Sequence, residues 1–234
     1  MPDRPYTLLS CTMSLDGYLG GPTAQRLLLS NDADFDRVDE VRAGCDAILV
    51  GASTVRKDNP RLLVRAAGRR RARVAAGLPE TPAKVTITAR GDLDPQANFF
   101  TVGTSDKLVY CSRESTPTTS HRLGRLATVV DGGRGPVRMR RVGEDLYARG
   151  IRRLMVEGGG TVHTQFLTDA LADELQLVVA PFFVGDSRAR RFVDDGRFPW
   201  CPDHRARLVE TRPIGDVVLL RYALSDRFGE TEEA

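Results

Sequence analysis

The run Ala47-Ile-Leu-Val50, preceded by Asp46 and closed by Gly51, constrains the fold most. A strand turns successive side chains to opposite faces, so four consecutive apolar residues ask for burial on both. A layered α/β arrangement, with helices on both sides of a mainly parallel sheet, provides that. The flanks agree. Asp32–Ala43 reads as a helix, with Phe35, Val38 and Val41 recurring every third residue, Ser30 as its cap, and Asp32, Asp34 and Asp36 suited to its N-terminal dipole. Ala52–Asp58 reads as a short helix or turn stopped at Asn59-Pro60.

The same alternation continues along the chain. Residues 6–13, 84–88, 107–111, 153–157 and 175–180 read as short strands. Residues 142–149, with Gly150 beyond them, and residues 161–171 read as helices. Near the end, 205–211 and 217–223 read as a hairpin joined through 212–215, which adds an antiparallel C-terminal edge. No Pro/Gly/Ser-rich linker divides the chain, so the expectation is one domain over 1–225 and a polar tail over 226–234 that frays.

Composition excludes several classes. With 234 residues, of which 41% are apolar, the chain is neither disordered nor short of core. The longest apolar runs fall well below the ~20 residues of a membrane span, and the first residues have no apolar signal region. Cys11, Cys45, Cys111 and Cys201 are far apart, which argues against zinc and disulfides and for a cytoplasmic setting. The histidines His121, His163 and His204 are isolated, so no metal site is expected. The net charge is only +3, yet residues 61–73 carry six Arg and no acid. Such a run is ordinarily a solvated surface loop. Its alternative, a nucleic-acid contact, is weakened by the lack of interleaved aromatics.

In open α/β sheets ligands bind beyond the carboxyl ends of the strands, which points after Met13, Val50 and Glu157. Gly158-Gly-Gly160 lies there, between a strand and a helix. Glycines let the main chain approach a ligand, and a helix N-terminus favours a phosphate or pyrophosphate. The pattern is neither a Rossmann fingerprint nor a Walker A loop. Glu157 is either a carboxylate facing the ligand or one that bonds loop N–H groups. Asp16-Gly17 is a loop over a ligand or a turn.

Three blocks add a resemblance. They are Arg4-Pro-Tyr-Thr-Leu-Leu-Ser-Cys-Thr-Met-Ser-Leu-Asp-Gly17, Asp46-Ala-Ile-Leu-Val-Gly-Ala-Ser-Thr-Val-Arg-Lys-Asp-Asn-Pro-Arg-Leu-Leu-Val-Arg65, and Glu157-Gly-Gly-Gly-Thr161 with Leu171-Ala-Asp-Glu-Leu175 and Ala180-Pro-Phe-Phe-Val-Gly185. In this order they resemble the pyrimidine reductases of riboflavin biosynthesis. The resemblance implies a three-layer dihydrofolate-reductase-like fold, a homodimer, and NADPH-dependent reduction of a phosphorylated ribosylaminopyrimidine at the sugar C1′. It places Thr12, Thr54, Asp58, Gly158, Gly159, Gly160, Thr161 and Val162 at the cofactor, and Arg42, Leu62, Arg65 and Glu157 at the substrate, with Glu157 the catalytic candidate. Thr88 and Arg90 suit a 2′-phosphate. Two positions depart from the family: Ser10 stands where many members have a substrate-contacting Lys, and Arg26 where Ser is frequent. No H-x-E with P-C-x-x-C occurs, so the expectation is a stand-alone reductase without a deaminase domain. The alternatives are a reductase of folate-like or specialised heterocycles, and a non-catalytic nucleotide-binding protein.

Overall fold

The computed structural model describes residues 3–23 and 27–229. In chain order its elements are β1 (Tyr6–Ser14), α1 (Asp32–Ala43), β2 (Ala47–Gly51), α2 (Ala52–Asp58), α3 (Ala67–Ala75), β3 (Ala83–Thr88), α4 (Asn98–Thr101), β4 (Lys107–Cys111), α5 (Thr116–Leu123), β5 (Thr128–Asp131), α6 (Met139–Ala148), β6 (Arg153–Val156), α7 (Gly160–Thr168), β7 (Glu174–Ala180), β8 (Arg207–Ile214) and β9 (Val217–Ala223). They fall into two compact units, Met1–Pro5 with Val38–Met155, and Tyr6–Arg37 with Val156–Ala234.

The first unit has strand order β5-β4-β3-β2-β6, and β2, β3, β4 and β5 run parallel. All five residues of β2 are buried, as the apolar run requires. Its core gathers Ile48, Val50, Val55, Leu62, Phe99 and Val109. Burying each such side chain stabilises the fold by about 1.5–3 kcal/mol. In the second unit β1 pairs parallel with β7 (Leu8 opposite Glu174), and β7-β9-β8 is antiparallel. The mainly parallel α/β expectation with an antiparallel C-terminal edge therefore holds.

Several local expectations change. The hairpin turns at Gly215 (φ +62°) and Asp216, not over 212–215, because β8 continues through Pro213 opposite Val218. β8 ends the strand order, and a missing N–H is tolerated on an edge strand. The helix after the glycines stops at Thr168, followed by Ala170 at φ +52°. The Arg run is not a loop: Ala and Arg are strong helix formers, and residues 67–75 become α3. The four-residue strand β5 and the Thr-rich α5 carry too little pattern to be read from sequence. In the tail, Arg227 pairs with Asp173 at 3.2 Å, so residues up to 229 form turns, whereas 230–234 lie outside the described residues.

Helix α1 inverts its expected orientation. Asp34, Arg37 and Asp39 are its buried residues, whereas Phe35, Val38 and Val41 are only half-buried. Buried charges persist when paired. Arg37 donates to Asp34 at 2.8 Å and to Gln176 at 2.7 Å. The cap is Asn31, whose Oδ1 accepts the Asp34 N–H at 2.9 Å, while Ser30 bonds Thr12 instead.

Candidate active site

In the first unit the second sequence block resolves into parts with distinct tasks. The Asp46 carboxylate accepts the N–H groups of Arg152 and Arg153 at 2.8 and 2.9 Å and so ties β6 to the start of β2. Thr54 is half-buried in α2, and Asp58 is exposed at its end. Asn59 closes α2 in the left-handed region (φ +43°), which Asn adopts at little cost. Its side-chain oxygen accepts the Asn98 N–H at 2.7 Å.

Leu62 also has positive φ (+49°), though its side chain is 2% exposed and packed in the core. A leucine held there is strained, and such strain gathers at ligand-binding segments. The Leu62 side chain is thus committed to the core. The following residues are held by α1. Arg42 donates to the Leu63 carbonyl at 3.1 Å. Asp39 accepts the N–H of Arg65, the N–H of Ala66 at 3.0 Å and the Arg69 guanidinium at 3.1 Å. Burial works against the Asp39 carboxylate, but these donors outweigh it and hold its pKa below the usual range.

Thr88 is buried at the end of β3, its hydroxyl accepting the Gly91 N–H at 3.0 Å, and Arg90 is exposed beside it. The Arg run serves mostly internal ends. Arg73, 5% exposed, donates to the carbonyls of Ala43, Cys45 and Pro79 at 2.7–2.8 Å. Arg70 donates to the Val64 and Arg65 carbonyls.

In the second unit the S-L-D-G signature is a clamp. Asp16 accepts from the Ser14 hydroxyl and from the N–H groups of Val184 and Gly185, the last at 2.7 Å. Partial desolvation opposes ionisation there, yet these donors lower its pKa to about 2. The first and third sequence blocks thus meet at this carboxylate. Thr12 on β1 shares a 3.0 Å hydrogen bond with Ser30. Ser10 is buried and stands opposite Gln176 on β7, while Arg26 lies outside the described residues.

Glu157 is half-buried directly after β6, where the glycines begin. Gly158 has φ +121°, a conformation closed to other residues at low cost. Gly160 opens α7 so tightly against the Arg191 carbonyl that a Cβ would stand 2.5 Å from it. Thr161 is exposed and donates to Asp194 at 2.9 Å; Val162 is buried, its N–H on the Gly159 carbonyl. Beneath the loop lies His163, fully buried, with neither ring nitrogen in hydrogen-bond geometry. Burial lowers its pKa to about 4, although the Val156 and Phe192 main chains approach the ring and oppose the shift. The imidazole is thus neutral, packed 5.5 Å from the Phe192 ring.

Sequence reasoning missed Asp39, Arg73 and His163. Arg73 reads as part of a solvated surface run and His163 as isolated, and nothing in the local pattern singles out Asp39. Only partners distant in sequence distinguish them.

Comparison with known proteins identifies the family and the fold. The family described as the RibD C-terminal domain matches residues 5–220. A 2,5-diamino-6-ribosylamino-4(3H)-pyrimidinone 5′-phosphate reductase of Archaeoglobus fulgidus is 34% identical over 225 residues, which cover 96% of this chain and 99% of that protein. A pyrimidine reductase-like protein from Corynebacterium diphtheriae superposes with a TM-score of 0.78 at 21% identity, covering 94% of this chain and 91% of its own. A dihydrofolate reductase from Enterococcus faecalis shares the fold at a TM-score of 0.50 and 12% identity, covering 93% and 95%. The chain belongs to the RibD C-terminal domain family, the pyrimidine reductases of riboflavin biosynthesis.

Proposed function

We propose that the chain is an NADPH-dependent reductase of 2,5-diamino-6-ribosylamino-4(3H)-pyrimidinone 5′-phosphate. The observation that carries this reading is the end-to-end match to the archaeal reductase of that name. The residues suit the cofactor: Gly158 and Gly159 lead into α7 and Gly160 opens it, so no side chain stands at its first turn's entry, as a pyrophosphate requires. Thr12, Thr54, Asp58, Thr161 and Val162 complete its contacts in this reading, and Thr88 with Arg90 take the 2′-phosphate. When bound, NADPH supplies a hydride to the sugar C1′ of the ring-opened substrate.

The protein's own share is orientation and proton delivery. Arg42 and Arg65 hold the sugar phosphate through charge-assisted hydrogen bonds, and the strained Leu62 main chain shapes the segment between them. A proton must also reach the nitrogen that becomes the amine, and Glu157 or a water molecule assists its delivery. The reading takes residues 1–225 as one reductase domain, acting as a cytoplasmic homodimer without nucleic acid. Its support on the last point is that Arg69, Arg70 and Arg73 are engaged within their own unit.

The test is NADPH oxidation by the purified chain with the phosphorylated diaminopyrimidinone, its dephosphorylated form and dihydrofolate. Turnover confined to the first compound is expected, faster with NADPH than with NADH. Turnover of dihydrofolate alone would replace the substrate assignment.

A further inference from the structure

Asp39 is 2% exposed, carries a full charge, and lies outside every block that suggested function. Its two oxygens are divided with purpose. Oδ1 accepts the main-chain N–H of Arg65 and lies 3.8 Å from Nε of the same residue. Oδ2 accepts the N–H of Ala66 at 3.0 Å and the Arg69 guanidinium at 3.1 Å. Arg65 itself is 57% exposed, so its guanidinium is presented outward from a main chain that the carboxylate has fixed. One turn further along α1, Arg42 fixes the Leu63 carbonyl. The segment from Leu63 to Ala66 is therefore held at both ends by one rigid helix.

We propose that Asp39 is a positioning residue that orients Arg65 toward the substrate's sugar phosphate. The proposal rests on the reading that Arg65 anchors that phosphate. An arginine side chain, with four rotatable torsions, loses much of its binding energy in ordering, and a neighbouring carboxylate at its Nε side removes part of that cost before the ligand arrives. The bland explanation is different. Ala66 caps α3 without a side-chain cap of its own, and Asp39 supplies the missing acceptor. That role affects stability but not recognition of phosphate.

The two are separated by phosphate discrimination, the ratio of kcat/KM for the phosphorylated compound to that for its dephosphorylated form. It is measured for wild type, Arg65→Ala, Asp39→Asn and the double variant, with thermal melts and KM for NADPH. Arg65→Ala is expected to lower the ratio by about 10- to 150-fold, the loss of one charge-assisted hydrogen bond. Asp39→Asn is expected to lower it by about tenfold through misplacement alone, with KM for NADPH within about twofold of wild type. The double variant should match Arg65→Ala, because the carboxylate has nothing left to orient. If Asp39→Asn fails to fold, Asp39→Glu carries the test, since it keeps the charge and shifts it by one methylene.

If Arg65→Ala lowers the ratio while the Asp39 variants slow both compounds equally, Asp39 only caps α3 and the proposal is overturned. Losses that multiply in the double variant overturn it too. A ratio untouched by Arg65→Ala removes the anchoring reading, and the positioning role falls with it.

Discussion

Arg73→Ala tests whether the Arg run is part of the core or a solvated surface. In the structure one buried guanidinium satisfies three carbonyls, those of Ala43 at 2.7 Å and of Cys45 and Pro79 at 2.8 Å. Hydrogen bonds to a charged group are worth about 1.5–3 kcal/mol each, so the gross loss is on the order of 4.5–9 kcal/mol. Burying the cation offsets part of that. The variant also leaves carbonyl acceptors without donors, which costs about 1–3 kcal/mol for each buried group left unsatisfied. The expected loss is therefore about 4 kcal/mol, a large share of the roughly 5–15 kcal/mol that holds a domain together. With a urea slope of about 2 kcal/mol per M, the unfolding midpoint should fall by roughly 2 M. Arg73→Lys should recover less than half, because a compact ammonium cannot span three carbonyls. The control is Arg71→Ala, an exposed residue of the same run, which should change stability by less than about 0.5 kcal/mol. Urea unfolding followed by circular dichroism at low and high salt reads all three. A loss below about 1 kcal/mol, or one that high salt abolishes, would refute the argument that this charge is a structural clamp.

Three further outcomes are expected. Burial depresses the folded pKa of His163 from 6.5 to about 4, so its contribution is full above pH 6.5 and is lost as pH falls toward 4. Relative to His163→Leu, wild type should lose about 3 kcal/mol as pH falls across that window, and a constant difference in chemical unfolding would contradict it. Lys84 is fully buried with Nζ donating to the Val102 carbonyl at 2.6 Å, and burial, reinforced by Lys107, lowers its pKa from 10.5 to about 8. Its contribution is full above pH 10.5 and lost as pH falls through 8. Relative to Lys84→Met, wild type should therefore gain about 3 kcal/mol between pH 8 and 10.5, and a flat difference would defeat the reasoning. Gly160→Ala sets a Cβ 2.5 Å from the Arg191 carbonyl, so a destabilisation of about 1–3 kcal/mol is expected in thermal melts, and an unchanged melting temperature would count against so close a contact.

The sequence by itself determined whatever rests on short-range pattern. Ala47-Ile-Leu-Val50 had to be a strand covered on both faces, because no face of it is polar, and β2 is wholly buried. Asn59-Pro60 had to end α2, and three glycines before a helix had to bring main chain to its N-terminus. The ordered blocks carried the family. Tertiary structure alone decided which charges go inside. Hydropathy sends Asp34, Arg37, Asp39 and Arg73 to the surface. A buried charge becomes tolerable only when partners complete its hydrogen bonds, and those partners are distant: Gln176 stands 139 residues from Arg37, and Cys45 stands 28 from Arg73. The same holds for Pro213, which reads as a turn until the strand order places β8 at an edge. It holds for Leu62 as well, whose positive φ is imposed by a core that fixes its side chain. Local propensity is written residue by residue, whereas the desolvation of a charge or the strain of a backbone is set by what the rest of the chain brings against it.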